Sequence, residues 1–212
     1  MEITWYGHAC FRLKDRNATI ITDPYDKSLG LTLPRLTADI VTISHNSAHH
    51  NYTKAIKGDF KVVDGPGEYE IKDTFITGIH LIQQKKENKP RKRNNLFVFY
   101  MDDITICHLG DLNHIPTQNQ VENMGNIDVL MVPVGGQQAL NAAQAAEVIS
   151  LIEPYIVIPM HYKLPDLAVT LEPVEKFLKE MGITPPTPEP VLKLVQSGLP
   201  EETQIVLLEP NQ

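Results

Sequence analysis

Seven of the eight histidines stand where short apolar, strand-like runs stop. VTISHNSAHHN places His45, His49 and His50 just past Ile40, Val41 and Ile43. CHLGDLNH brings His108, Asp111 and His114 after Ile104, Ile106 and Cys107. YIVIPMHY ends in His161, and ITWYGHACF carries His8. Loops beyond strand ends are the usual place for a site on a rigid scaffold. Imidazoles gathered with a carboxylate are donors for a hard-to-borderline divalent metal. The chain is therefore constrained to a fold that brings several strand ends together.

Length and charge narrow the class. A chain of 212 residues suffices for one large domain with a well-buried core, read here as a single domain over residues 1–212. No apolar run approaches the ~20 residues that span a bilayer, so no membrane association is expected. The N-terminal MEITWYGHACF lacks the basic region and long apolar stretch of a signal peptide, which reads as a cytoplasmic chain. Cys10 and Cys107 lie in apolar, strand-like contexts and read as buried free thiols.

The net charge is −7, unevenly spread. Residues 85–95, KKENKPRKRNN, hold six of the 19 basic residues and one of the 26 acidic ones, leaving 13 against 25 elsewhere. An acidic body does not favour a polyanion over its whole surface, so nucleic acid is not an expected partner. The basic run reads first as a solvated hairpin tip.

Strands come first along the chain. ITWYG, ACFRLKD and ATIITDP read as three short strands, with turns at Gly7 and at Arg16 and Asn17. Residues 39–44 form a buried strand ending at the histidine cluster. FKVVDGPG, YEIKD, TFITGIHLIQ and NLFVFYMDDITICHLGD continue in strand-like runs, with a hairpin turn at Met101, Asp102 and Asp103. His80 lies inside one of these runs and reads as structural. Residues 126–134 suit an interior strand. Residues 138–152, Ala-rich with helical spacing, follow Gly135 and Gly136 and stop before Pro154, which predicts a helix. Residues 155–160 return to strand, 172–181 form a short amphipathic helix closed by Gly182, and TQIVLLEP is a last strand. Strands outnumber helices, which fits two sheets packed face to face with helices outside.

Six segments together carry a family resemblance. ITWYGHACFRL, IITDPY, SHNSAHHN, DGPGEYEI with ICHLGDLNH, and IVIPMHY resemble, in order and spacing, the metallo-β-lactamase superfamily, in the branch of small zinc-dependent hydrolases and the ascorbate-6-phosphate lactonase. The resemblance implies an α/β (α+β) fold, a four-layer αββα sandwich with its site at one edge and usually two zinc ions. It matches His45 and His50 to the first and last histidines of His-x-His-x-Asp-His, Asp111 to the bridging aspartate and His161 to the last metal ligand. Ser47, His49 and Gln83 stand where the family has His, Asp and His.

One metal position thus reduces to His45 with Ser47 and Gln83, which are weak donors for zinc. The other keeps His50, Asp111 and His161, with His49 in place of a carboxylate. The expectation is one zinc ion at most, or none, on His50, Asp111 and His161 with His49 or His45; another divalent metal would suit the same donors. Hydrolysis of an ester, lactone or phosphoester would follow, because a bound metal lowers the pKa of water toward ~7. Asp111 would orient that water, and His8 or His114 would protonate the leaving group. His108 and His114 also have a structural reading. Arg91, Lys92, Arg93 and Asn94 stand where this branch has Arg-Gly-Lys-Asn, and would bind a small anionic substrate. Two other classes compete with the hydrolase: a non-catalytic descendant that binds a ligand or partner, and a nuclease-like nucleic-acid binder using the basic run.

Overall fold

The opening runs form a meander. β1 (Glu2–Trp5) pairs antiparallel with β2 (Phe11–Lys14), which pairs with β3 (Thr19–Thr22). A computed structural model describes residues 1–82 and 93–212 of the chain. The strands that follow are β4 (Leu36–Thr37), β5 (Ile40–Thr42), β6 (Ile56–Lys57), β7 (Lys61–Val63), β8 (Gly67–Ile71), β9 (Thr74–Ile82), β10 (Arg93–Met101) and β11 (Ile104–His108). After helix α1 (Gln118–Glu122), β12 (Val129–Pro133), α2 (Ala142–Ile152) and β13 (Ile156–Met160) alternate. Helix α3 (Val174–Glu180) and the two-residue strands β14 (Leu192–Lys193) and β15 (Gln204–Ile205) complete the chain.

Two large sheets result. The first has the order β14-β1-β2-β3-β5-β7 and the second β15-β13-β12-β11-β10-β9-β8; β4 and β6 form a small parallel pair beside them. The first sheet is buried on both faces. Ile20 and Ile40 enter the main core, whereas Ile21 and Val41, one residue on, pack with Tyr25, Leu29 and Leu31. That is the period-2 alternation of a strand covered on two sides. On the second sheet β12 is buried throughout as VLMVP, because α2 covers it with Ala145, Val148 and Ile149.

The expected sandwich is therefore present, with one difference in its outer layers. Helices cover the second sheet, while loops and short 3-10 turns cover the first. The helix expected over 138–152 begins later, at Ala142. Asn141 accepts from the backbone of Gln144, whose side chain returns the bond, and this capping box fixes the start. Helix α1 was not legible in the sequence; five residues with no buried side chain leave no apolar period. The turn at Asp102 and Asp103 is as expected, with φ of 49° and 62°. No helix among the described residues is long and apolar enough to cross a membrane. The basic run is described only from Arg93 onward, so Gln83, Arg91 and Lys92 lie outside the described residues.

Cys10 and Cys107 are both free and fully buried, and burial pushes both thiols above their ordinary range. Neither is expected to react with a chromogenic disulfide reagent in the native protein, and two thiols are expected to react once denaturant unfolds it. Rapid labelling of either in native buffer would contradict this packing.

Candidate metal centre

Five loops meet beyond the carboxyl ends of β1, β3, β5, β11 and β13. The first contact is made by Asp23, immediately after β3 and only 1% exposed. One of its oxygens accepts from the Ser44 amide at 2.7 Å. The other accepts from Ser44 Oγ at 2.6 Å and from His50 Nδ1 at 2.9 Å. Asp23 thus ties the end of β3 to the loop after β5. It also fixes the His50 tautomer: with the proton on Nδ1, the Nε2 lone pair points into the site. Burial alone would raise Asp23; His50 and Ser44 outweigh it and hold the carboxyl below its ordinary value.

The loop after β11 is held just as firmly. His108 Nε2 donates to the Ala9 carbonyl at 2.9 Å, joining the two sheets. Asn94 Nδ2 donates to the Leu109 carbonyl and its Oδ1 accepts from the Asp111 amide, both at 2.9 Å. Gly110 has φ of 56°, and a Cβ there would lie 2.5 Å from Ser44 Cβ. Only glycine satisfies both the left-handed backbone and that approach.

Histidine side chains then surround Asp111. His161 Nε2 lies 3.1 Å and His50 Nε2 3.4 Å from its Oδ1, and His45 Nε2 lies 3.6 Å from its Oδ2. His8 Nε2 lies 3.1 Å from His50 Nε2. Burial pushes His8 well below its ordinary value, and His161 and His50 push the same way. Burial also lowers His161, against the pull of Asp111. For Asp111 burial acts upward, but His50, His161, His45 and His8 outweigh it and hold the carboxyl far below the usual range. Neutral imidazoles and an ionised carboxylate are the protonation states metal binding requires.

The donor set fits a divalent ion. Two groups have donor atoms within 4.8 Å of one another: His8, His50 and His161, and His45, His50 and Asp111. Tetrahedral zinc with bonds of about 2.0–2.1 Å needs donors about 3.4 Å apart, close to the separations observed. His8 Nδ1 and His161 Nδ1 are buried with no hydrogen-bond partner among the described residues.

A cleft of about 350 Å³ opens over these groups and is lined further by Ser47, Gln137, Gln138, Val169, Thr170 and Leu171. The structure brings together His45, His50, Asp111 and His161 as expected from their strand-end positions. It places others differently. His49 lines the cleft, but its Nε2 lies 3.2 Å from Ser28 Oγ and it joins neither donor group. His8 is 2% exposed and packed on His50, deep in the site, whereas the sequence suggested a proton donor at its mouth. His114, expected as a proton donor, is absent from the cleft lining and meets its neighbour Asn113 at 3.2 Å. Asn94 is fully buried under the Asp111 loop and does not face an anion; Arg93 is exposed on β10, outside the cleft lining. His80 contacts Asn95 Oδ1 at 3.0 Å, the structural role read for it. Sequence reasoning missed Asp23, although IITDPY was already singled out as a motif.

Two facing sheets with imidazoles around one buried carboxylate at an edge define a metal-binding sandwich. Residues 2–161 match the family described as the beta-lactamase superfamily domain, and the chain belongs to that superfamily. A UPF0173 protein of Pyrococcus abyssi is 28% identical over 179 residues, covering 76% of this chain and 83% of that one. A UPF0173 metal-dependent hydrolase of Methanopyrus kandleri is 20% identical over 244 residues, covering 100% and 98%. Among solved structures, a Thermotoga maritima protein assigned to the Zn-dependent hydrolases of the metallo-beta-lactamase superfamily superposes with a TM-score of 0.79 at 40% identity, covering 98% of this chain and 97% of that one.

If Asp23 sets the His50 tautomer, Asp23→Asn should weaken zinc binding by about 10–100-fold, the usual effect of losing a ligand's carboxylate partner. Chelator competition measures this, and circular dichroism checks that the fold survives. Unchanged affinity would remove the tautomer argument.

Proposed function

We propose that the protein is a metal-dependent hydrolase that binds one divalent ion tightly and cleaves an ester or lactone. The observation that carries this reading is the convergence of His161, His50 and His45 on the two oxygens of Asp111 at separations of 3.1–3.6 Å. Supporting it, the relatives in Pyrococcus, Methanopyrus and Thermotoga belong to groups named for metal-dependent hydrolysis, or share their sequence family. His50, His161 and Asp111 would hold the ion, with His45 beside them. Zinc is one of the divalent ions that imidazole and carboxylate donors suit.

When bound, such an ion supplies Lewis acidity and lowers the pKa of water toward ~7. The chain's own residues do the rest. Asp111, ionised and only 7% exposed, accepts the hydrogen bond of a water in the cleft and orients its lone pair toward the carbonyl carbon. Asp23 holds His50 against rotation, and Asn94 holds the Asp111 backbone. Val169 and Leu171 give the cleft an apolar wall, which limits bulk water around the substrate.

The described cleft lining contains no Lys or Arg. A phosphoester carries charge that such a lining does not pair, so an uncharged ester or lactone is favoured. A small anionic substrate would have to draw on cations of the basic run beyond the described residues, and a nucleic acid would need more of that surface than an acidic chain offers.

One equivalent of zinc is expected to persist through dialysis in elemental analysis. Against a panel of aryl esters and lactones, Asp111→Asn and His161→Ala should each lower kcat/KM by at least ~100-fold with the fold intact. Two persistent equivalents would contradict the single-ion reading. A zinc-loaded protein inert toward the whole panel would favour the non-catalytic binding class.

A further inference from the structure

His8 is the one buried histidine of the cleft that neither the expected ligand set nor the proton-donor role accounts for. Three independent observations bear on it. First, its position is fixed by the backbone. His8 and His161 both take left-handed conformations, with φ of 52° and 53°. The His161 amide donates to the His8 carbonyl at 3.0 Å, and Trp5 Nε1 donates to the same oxygen at 3.1 Å. Non-glycine residues rarely adopt this region, and those that do cluster where a site needs its geometry preset.

Second, the donor separations close on one point. His8 Nε2 is 3.1 Å from His50 Nε2, while Asp111 Oδ1 is 3.4 Å from His50 Nε2 and 3.1 Å from His161 Nε2. The donor atoms of His8, His50 and His161 all lie within 4.8 Å of one another, a spacing that one zinc ion can span. Third, Asp23 fixes the proton of His50 on Nδ1, so the His50 Nε2 lone pair faces His8. His45 belongs to the other donor group, with His50 and Asp111, and faces the other oxygen of Asp111 at 3.6 Å.

We propose that His8 is a metal ligand: the tight position in this chain is built by His8, His50 and His161, which leaves a coordination position open for water, with Asp111 beside it and His45 outside it. This rests on the metal-dependent reading above and changes its ligand set. His8 takes the place that the sequence gave to His49.

The test uses Zn²⁺ alone, added to the full chain, with affinity measured by chelator competition and folding by circular dichroism. The variants are His8→Ala, His8→Asn and His45→Ala; asparagine is included because it tolerates the left-handed backbone. Either folded His8 variant is expected to bind zinc more than ~100-fold more weakly, beyond the ~10–100-fold typical of a partner outside the ligand sphere. His45→Ala should lose less than ~10-fold. In ¹⁵N-histidine-labelled wild type, zinc should shift the His8 ring nitrogens together with those of His50 and His161. This measurement decides the matter if neither His8 variant folds. A His8 variant that loses less than ~100-fold, His45→Ala losing as much as His8→Asn, or His8 resonances unmoved by zinc would each overturn the assignment while leaving the metal-dependent reading in place. Wild type that retains no zinc would overturn that reading, and the assignment with it.

Discussion

A carboxylate that is 7% exposed and surrounded by imidazoles is the constraint to which the site is built. Burying the charge of Asp111 costs several kcal/mol unless it is paired and hydrogen-bonded. His161 and His50 approach one oxygen and His45 the other, so the carboxylate is held from two sides by groups from two loops. The arrangement demands that those loops be fixed relative to one another before any substrate arrives. The rest of the molecule supplies that rigidity.

Each fixing contact crosses between elements distant in the chain. His108, at the end of β11 in the second sheet, bonds to Ala9 between β1 and β2 of the first. Asn94 on β10 holds both Leu109 and Asp111. Asp23 joins β3 to the loop after β5 through Ser44 and His50. Glycine makes two of the close approaches feasible. Gly110 packs on Ser44 and Asn94, and any side chain at Gly135 would collide with the His161 carbonyl. A site of this kind is carried by second contacts as much as by its donors.

The cleft's chemistry divides along Asp111. On the Oδ1 side lie His50 and His161, with His8 packed on His50; on the Oδ2 side lies His45, near the cleft-lining Ser47. A serine is a poor zinc donor where the superfamily has imidazole, which weakens the His45 side. Under the proposed reading, one strong position stands beside one weak one.

Much of this was legible in the order of residues. Apolar runs of period two, broken by Gly and Asp turns, fix the strands, and the Ala-rich stretch before Pro154 fixes the long helix. Histidines at run ends mark His45, His50, Asp111 and His161, because a strand end determines which residues reach the rim of a sheet. What the sequence could not order was the direction of individual side chains. His49 and His50 are adjacent, yet one turns to Ser28 and the other to Asp23. His8 and His114 looked equivalent as donors; a left-handed backbone carries the first into the centre, while the second stays with Asn113. Asn94 sat in a basic run, but its strand face buries it beneath Asp111. Such outcomes depend on φ at single residues and on partners tens of residues away. Local pattern determines which elements form, and only their packing decides where each polar atom points.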